Sequence, residues 1–411
     1  MRIVIVGGGV GGLSAALALR REGFEPQVFE QAPVLLEVGA AIAVWPNAMR
    51  VLRRLGVADA VAERGGLLRH ARWMGRDGRV FNHFPFPDEE VPGVALHRAD
   101  LQGALLRALP PESIHLGKTF ERFTQGRNDA RAHEDEARAH DGEVRTRADE
   151  VRAHARVDEV RVSFAGGDEV ACDVLVAADG LHSRARARLV GDGPPVYRGY
   201  AVWRGIARLE HAALLPDTAM EIYGGGRRFG IGPVGLGRTG WWATANETEA
   251  AAEVPSEHQK KLLKLFEGWC APVRELIEAT PSEAILRNPT YDRPPAPRWG
   301  DGRVTLLGDA AHPLTPNFGQ GGCMAIEDAV VLARCLSKYG DAARALRVYE
   351  AHRRTRTARV ARYSLLYGAV GQWQSPAAVA LRARLLSSVP ESVGRRLLRL
   401  IFDYDAYAAE V

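Results

Sequence analysis

Twice in this chain an apolar run ends on an aspartate flanked by glycine: Asp179 in DVLVAADGLHSRAR and Asp309 in GRVTLLGDAAHP. A carboxylate at the C-terminal end of a buried strand points into the crevice where open α/β sheets hold ligands. After Asp309 come two spaced prolines and then Gly319, Gln320, Gly321, Gly322 and Cys323, which open directly into the helical pattern MAIEDAVVLARCL. The first turn of a helix offers unpaired backbone N–H groups and the positive end of a dipole. No GKS or GKT accompanies it, so these amides suit a polar ring edge or a developing negative charge better than a triphosphate.

The N-terminus supplies a third site. MRIVIVGGGVGGLSAALALRREGFEPQVFEQ reads as a strand, a glycine turn, a helix to Arg21, a stop at Gly23 and a second strand ending at Glu30. Gly7, Gly9 and Gly12 form GxGxxG in that setting, with an acid 18 residues after the last glycine. Such a βαβ unit holds a dinucleotide: Gly7 makes the turn, Gly9 admits the pyrophosphate, Gly12 lets helix and strand close up, and Glu30 takes a ribose hydroxyl. A second GxGxxG, Gly230, Gly232 and Gly235, has no helix after it and reads as a hairpin. With one dinucleotide fold, any second nucleotide binds without a Rossmann domain of its own. A flavin meets the needs of both ends, Asp309 accepting from a ribityl hydroxyl while the amides at Gly321 and Gly322 face the N1/C2 edge.

Other elements must position these groups. VGAAIAVWPNAMRVLRRLGV predicts a helix capped by Asn47, turning Met49, Val51, Leu52 and Leu55 inward and stopping at Gly56. After Gly322, Ile326, Val330, Ala333 and Leu336 fall at core spacing. GYAVWRGIARLE, EIYGGGRRFGIGPV and GWWATAN predict a sheet, with Trp203, Arg204, Tyr223, Arg228, Phe229 and Trp242 as candidate walls of a substrate pocket. Residues 340–411 read as helical and basic, Arg344, Arg347, Arg353, Arg354, Arg356, Arg359 and Arg362 forming a solvated face rather than a membrane surface. Residues 131–158 repeat a seven-residue unit, RAHEDEA and variants, with too few apolar positions for a coiled coil. Its His133, His140 and His154 read as solvated rather than metal-ligating.

Composition sets the outer limits. At 411 residues and 46% hydrophobic the chain can fill two to three domain cores. A net charge of +4 without a dense basic face argues against nucleic acid and for a small anionic partner. Cys172, Cys270, Cys323 and Cys335 show no CxxC spacing, and no apolar run approaches a membrane span or a signal core. The expectation is a cytoplasmic protein without a metal.

These motifs together resemble the single-component (class A) FAD-dependent aromatic hydroxylases, most closely the urate hydroxylases and salicylate hydroxylase-like enzymes. The resemblance rests on Gly7 to Gly12, on Asp179-Gly180 with Ser183 and Arg186, and on Gly308-Asp309 running to Gly322, and covers the chain outside the repeat. It implies an α/β fold: a Rossmann-type FAD-binding domain (1–75, 97–186 and 286–340, with the insertion 127–158), an inserted β-sheet substrate domain (76–96 and 187–285) and C-terminal helices (341–411). FAD would be held by Gly7, Gly9, Gly12, Glu30, Gln31, Ala43, Arg98, Asp179, Asp309, Gly319, Gln320, Gly321, Gly322 and Cys323. Pro316 would set its backbone near the reactive edge, and His312 reads as part of the turn rather than as a base.

The implied reaction has NADH or NADPH reduce FAD, O2 form a C4a-hydroperoxide, and its hydroxyl pass to an aromatic or heteroaromatic small molecule. Arg228 and Arg204 are the candidate substrate anchors. Val202, Arg204 and Gly240 depart from the urate branch. An epoxidase of an isoprenoid or polyketide-type substrate would share every cofactor motif, and a non-catalytic flavin-binding redox module would share the fold.

Overall fold

Four consecutive branched residues, Ile3 to Val6, cannot hide on one face of a strand; both of its faces must be covered. In the computed structural model, which describes residues 1–35, 40–86, 91–126, 159–249 and 254–411, all four are buried. They centre a six-stranded sheet ordered Gly300–Asp301, Val304–Leu306, Val174–Ala177, Ile3–Val6, Gln27–Phe29 and Ile114–His115. Every pairing is parallel except that of the first two strands. Helix Val10–Arg21 lies against this sheet with helix Gly321–Lys338 beside it. Ile326, Val330, Ala333 and Leu336 are buried as their spacing predicts, each large side chain contributing about 1.5–3 kcal/mol.

The repeat at 131–158, with His133, His140 and His154, lies outside the described residues. Its flanking strands Phe120–Gln125 and Val160–Phe164 pair antiparallel, Gln125 opposite Val160.

A seven-stranded sheet forms the second layer, ordered Leu286–Asp292, Val196–Ala207, Arg238–Asn246, Arg227–Gly235, Thr218–Gly224, His70–Gly75 and Val80–Pro85. Two segments expected in the cofactor-binding domain, His70–Gly75 and Leu286–Asp292, therefore pair in this sheet instead. Side chains alternate across it. Ala201, Trp203, Phe229, Ile231, Trp241 and Ala243 pack into a core of their own with Leu262, Phe266, Leu276 and Ile277. The opposite face carries Arg204, Arg228 and Trp242. A small antiparallel sheet, Ala41–Val44, Gly93–His97 and Gly66–Leu68, contacts both the strand Arg227–Gly235 and the helix Gly321–Lys338, and so joins the two layers.

The helix expected to be capped by Asn47 is Pro46–Arg54, with Pro46 in its first turn and Trp45 as N-cap. Proline is suited to that position because the N–H it lacks has no helical partner. Asn47 is instead buried one position further in, donating to Gln320 Oε1 (3.0 Å) and Glu327 Oε1 (2.6 Å).

The chain ends in helices Ala342–Gly371, Pro376–Ser387 and Glu391–Phe402. Two arginines expected on a solvated face are core partners here: Arg353 is fully buried against Glu327 and Asp328, and Arg356 pairs with Glu327. Among the described residues, no helix is long and apolar enough to cross a membrane.

Candidate cofactor and substrate site

The glycine loop closes as its sequence requires. Gly7 takes a φ of +106°, and a Cβ at Gly12 would sit 1.9 Å from the Gly7 carbonyl oxygen, so only glycine permits this approach of helix to strand. Glu30 ends the neighbouring strand and accepts from the Gly8 N–H (2.5 Å) and the Ala32 N–H (2.9 Å), each oxygen keeping a lone pair for a further donor. Gln31 stands exposed beside it. The other glycine triplet lies inside the strand Arg227–Gly235, as the hairpin reading has it. There the Trp242 ring lies over Gly230, where a Cβ would meet it at 1.8 Å.

The two aspartates converge. Asp179 Oδ2 accepts from the N–H groups of Arg184 (2.9 Å) and Ala185 (3.2 Å), while Oδ1 is buried without a partner. Burial raises its pKa despite those bonds. Ser183 caps the short helix Arg184–Leu189. From that helix the fully buried Arg186 grips Asp192 and donates to the carbonyls of Ala310 (3.1 Å) and Ala311 (2.6 Å), fixing the turn that carries Asp309.

Asp309 is solvent-accessible yet so ringed by protein that desolvation raises its carboxyl pKa, with His312 and Arg98 opposing. Arg98 is exposed, its guanidinium unbonded among the described residues, and its charge bears on both Asp309 and Arg204. Three charges from three distant stretches thus lie close enough to act on one another.

A Cβ at Gly321 would stand 3.6 Å from Asp309 Oδ1, while Gly319 comes against Ala43 and Trp45, and Gly322 against Ile42. The amides of Gly321, Gly322 and Cys323 begin the helix without a side-chain cap. Trp45 locks the turn from behind, its indole donating to the Phe318 carbonyl (2.8 Å). Burial pushes the Cys323 thiol up to about 12, so this cysteine can serve through its backbone and not as a thiolate. An unpartnered buried carboxylate oxygen, a desolvated carboxylate, a free guanidinium and open helix-start amides fit a dinucleotide ending in a polar ring system.

Residues the motif reading passed over hold this arrangement. Asp328 accepts from the Gly308 N–H (3.1 Å), from Arg353 Nε (2.6 Å), and pairs with His312 Nε2 (2.5 Å). Against the desolvation of its burial, His312 and Arg353 bring its pKa down to about 2. An acid inside an otherwise apolar helical pattern was the sequence signal for it.

In the seven-stranded sheet, strand alternation turns Trp203 and Phe229 into the second core, on the face opposite Arg204 and Trp242. Arg204, Trp242 and Gly232 stand on the inward face. Arg204 donates to Asn288 Oδ1 (2.9 Å); burial, with the nearby positive charge of Arg98, disfavours its charged form. Gly232 has open space above it, with nothing within 4 Å of where a Cβ would stand.

Arg228 is only 1% exposed, and its guanidinium is committed to Gln372 Oε1 (3.0 Å), Glu221 Oε1 (2.9 Å) and Asn317 Oδ1 (2.7 Å). Tyr223 and Tyr367 both hydrogen-bond Glu221. Asn317 belongs to the turn Pro316–Phe318 and also donates to Thr315 Oγ1 (2.9 Å) and the Ser364 carbonyl (2.8 Å). Among the described residues no group of three His, Cys, Asp or Glu side chains is arranged to hold a metal ion.

Comparison with known proteins identifies the family. A family model described as FAD binding domain matches residues 1–364. The chain is 38% identical over 390 residues to the aurachin C monooxygenase/isomerase of Stigmatella aurantiaca, covering 94% of each. It is 35% identical over 359 residues to an FAD-dependent urate hydroxylase of Klebsiella pneumoniae, covering 86% of each. The crystal structure of Klebsiella pneumoniae HpxO complexed with FAD and uric acid superposes with a TM-score of 0.85 at 30% identity, over 98% of this chain and 96% of that one.

Proposed function

We propose, given that this chain belongs to the FAD-binding-domain family and is an FAD-dependent monooxygenase, that it hydroxylates an aromatic or heteroaromatic small molecule bearing an anionic or carbonyl oxygen, with NADH or NADPH as donor. The observation that carries the substrate class is the pairing of Arg204 with open space over Gly232 on one inward face, beside the Trp242 ring. A planar ring lies over Gly232, bounded by Trp242, and Arg204 with Asn288 holds its oxygen.

FAD, held by this chain, would supply the redox chemistry by which a reduced nicotinamide and O2 give hydroxylated substrate and water. The chain does the rest. Gly7, Gly9, Gly12 and Glu30 hold the adenosine diphosphate end, Asp179, Asp309 and Arg98 the middle, and the amides from Gly319 to Cys323, facing Ala43, the ring edge. Gln31 extends the adenosine contact past Glu30. Pro316 borders the reaction space, and Arg228, through Asn317, keeps its turn in place; Arg228 is a positioning residue and Arg204 the anchor. Val202 and Ile206 share the strand face of Arg204 and keep water from the reacting carbon.

The test is donor oxidation by the FAD-loaded protein with hydroxynicotinates, salicylate-like acids, urate and indoles, counting H2O2 against hydroxylated product. One ring compound should accelerate donor use and replace peroxide with product. Peroxide alone from every compound would refute the substrate class.

A further inference from the structure

A cleft of about 440 Å3 opens along the first turns of helix Arg98–Arg107, lined among others by Arg64, His97, Asp100, Gln102, Arg107 and Arg238. Asp100 pairs with Arg64 (3.0 Å) and Arg238 (2.9 Å), while Arg107 is exposed and makes no side-chain hydrogen bond among the described residues. Three guanidiniums against one carboxylate leave a surplus of two positive charges. His97 uses Nδ1 to accept the Ala99 N–H (3.1 Å), which leaves Nε2 as a donor. The cleft also adjoins the flavin site, because Gln102 donates to the Gly8 carbonyl of the glycine loop (2.9 Å) and Arg98 follows His97 directly.

We infer that this cleft receives the diphosphate of the nicotinamide donor. The inference rests on the monooxygenase reading above and adds where the donor binds. FAD has the glycine loop and the one Rossmann unit, so the donor's anionic group must be met elsewhere. Arginine forks match phosphate oxygens in pairs, and a surplus of positive charge in a wet cleft raises the local concentration of a dinucleotide. Asp100 holds two of the three forks ready and weakens their field.

The experiment is calorimetric titration of ADP into FAD-loaded protein, beside the apparent affinity for NADH and NADPH in anaerobic flavin reduction. Arg64→Gln, Arg107→Gln and Arg238→Gln are each expected to weaken ADP and donor binding about ten-fold or more, with FAD content and visible spectrum unchanged. Arg107 has no partner to lose, so its variant tests the site even if the others fold poorly. Asp100→Asn is expected to act in the opposite direction and tighten ADP, a result no general destabilisation produces. Donor affinity unchanged in all three arginine variants, with the wild type still reduced, overturns the site and leaves the monooxygenase reading standing. ADP binding only to the FAD-free protein assigns the cleft to the flavin's own adenosine and also overturns the inference. Failure of both donors to reduce the wild-type flavin sinks the reading beneath it.

Discussion

At the scale of single residues, the site is built from charges held where water would not leave them comfortable. Asp309 is the clearest case. Its pKa is raised, so the ionised form destabilises the folded protein as pH rises through that value, and the neutral form does not. Asp309→Asn is therefore expected to keep or raise the melting temperature of the FAD-free protein at neutral pH. The same variant should weaken FAD about ten-fold or more in a fluorescence titration, because a charged acceptor is lost. The two arginines separate in the same way. Arg204 has one neutral partner and an accessible face, so Arg204→Gln should raise the substrate KM about ten-fold or more with little change in melting temperature. Arg228 is buried on Glu221, so Arg228→Gln should cost about 3–5 kcal/mol in denaturant unfolding. Where that variant folds, it should raise the H2O2 share rather than KM.

At the scale of elements, the helix Gly321–Lys338 does two things: its first turn leaves its amides without a side-chain cap, and its second and third hold the charges that pin it. Glu327 and Asp328 meet Arg353 and Arg356 of the long helix Ala342–Gly371, and Asp328 reaches back to Gly308. Removing one partner of a buried pair leaves the other charge stranded, so Asp328→Asn is expected to destabilise by about 3–5 kcal/mol. Because its folded pKa lies near 2, below the usual 3.8, the stability it provides is present above pH 4 and lost as pH falls toward 2. Acid titration of unfolding free energy should show that slope in the wild type and a shallower one in the variant.

At the scale of the whole molecule, the small sheet Ala41–Val44, Gly93–His97 and Gly66–Leu68 joins the two larger layers, touching the strand Arg227–Gly235 of one and the helix Gly321–Lys338 of the other. The charged repeat interrupts a plain hairpin, since Gln125 pairs with Val160 on either side of it. Replacing residues 127–158 by a short glycine-containing turn should leave FAD binding and donor oxidation at wild-type levels, measured by spectrum and turnover.

The cofactor half of the molecule was legible in the amino-acid sequence because its signals are local. GxGxxG with Glu30, the Asp179 and Asp309 turns and the apolar spacing after Gly322 each depend on a few neighbouring residues and on backbone geometry that only glycine allows. The facing of side chains was not local. Trp203 and Phe229 were as good wall candidates as Trp242 until strand register, with its period of two, placed them on the far side. Arg228 and Arg204 look alike in sequence. Only the packing of Glu221, Gln372 and Asn317, drawn from three separate stretches, separated them, surrounding the Arg228 guanidinium with protein partners while Arg204 donates to Asn288. Arg353, read as a surface charge, became a core partner for the same reason: a helix pattern fixes which residues share a face, and the tertiary structure decides what that face meets.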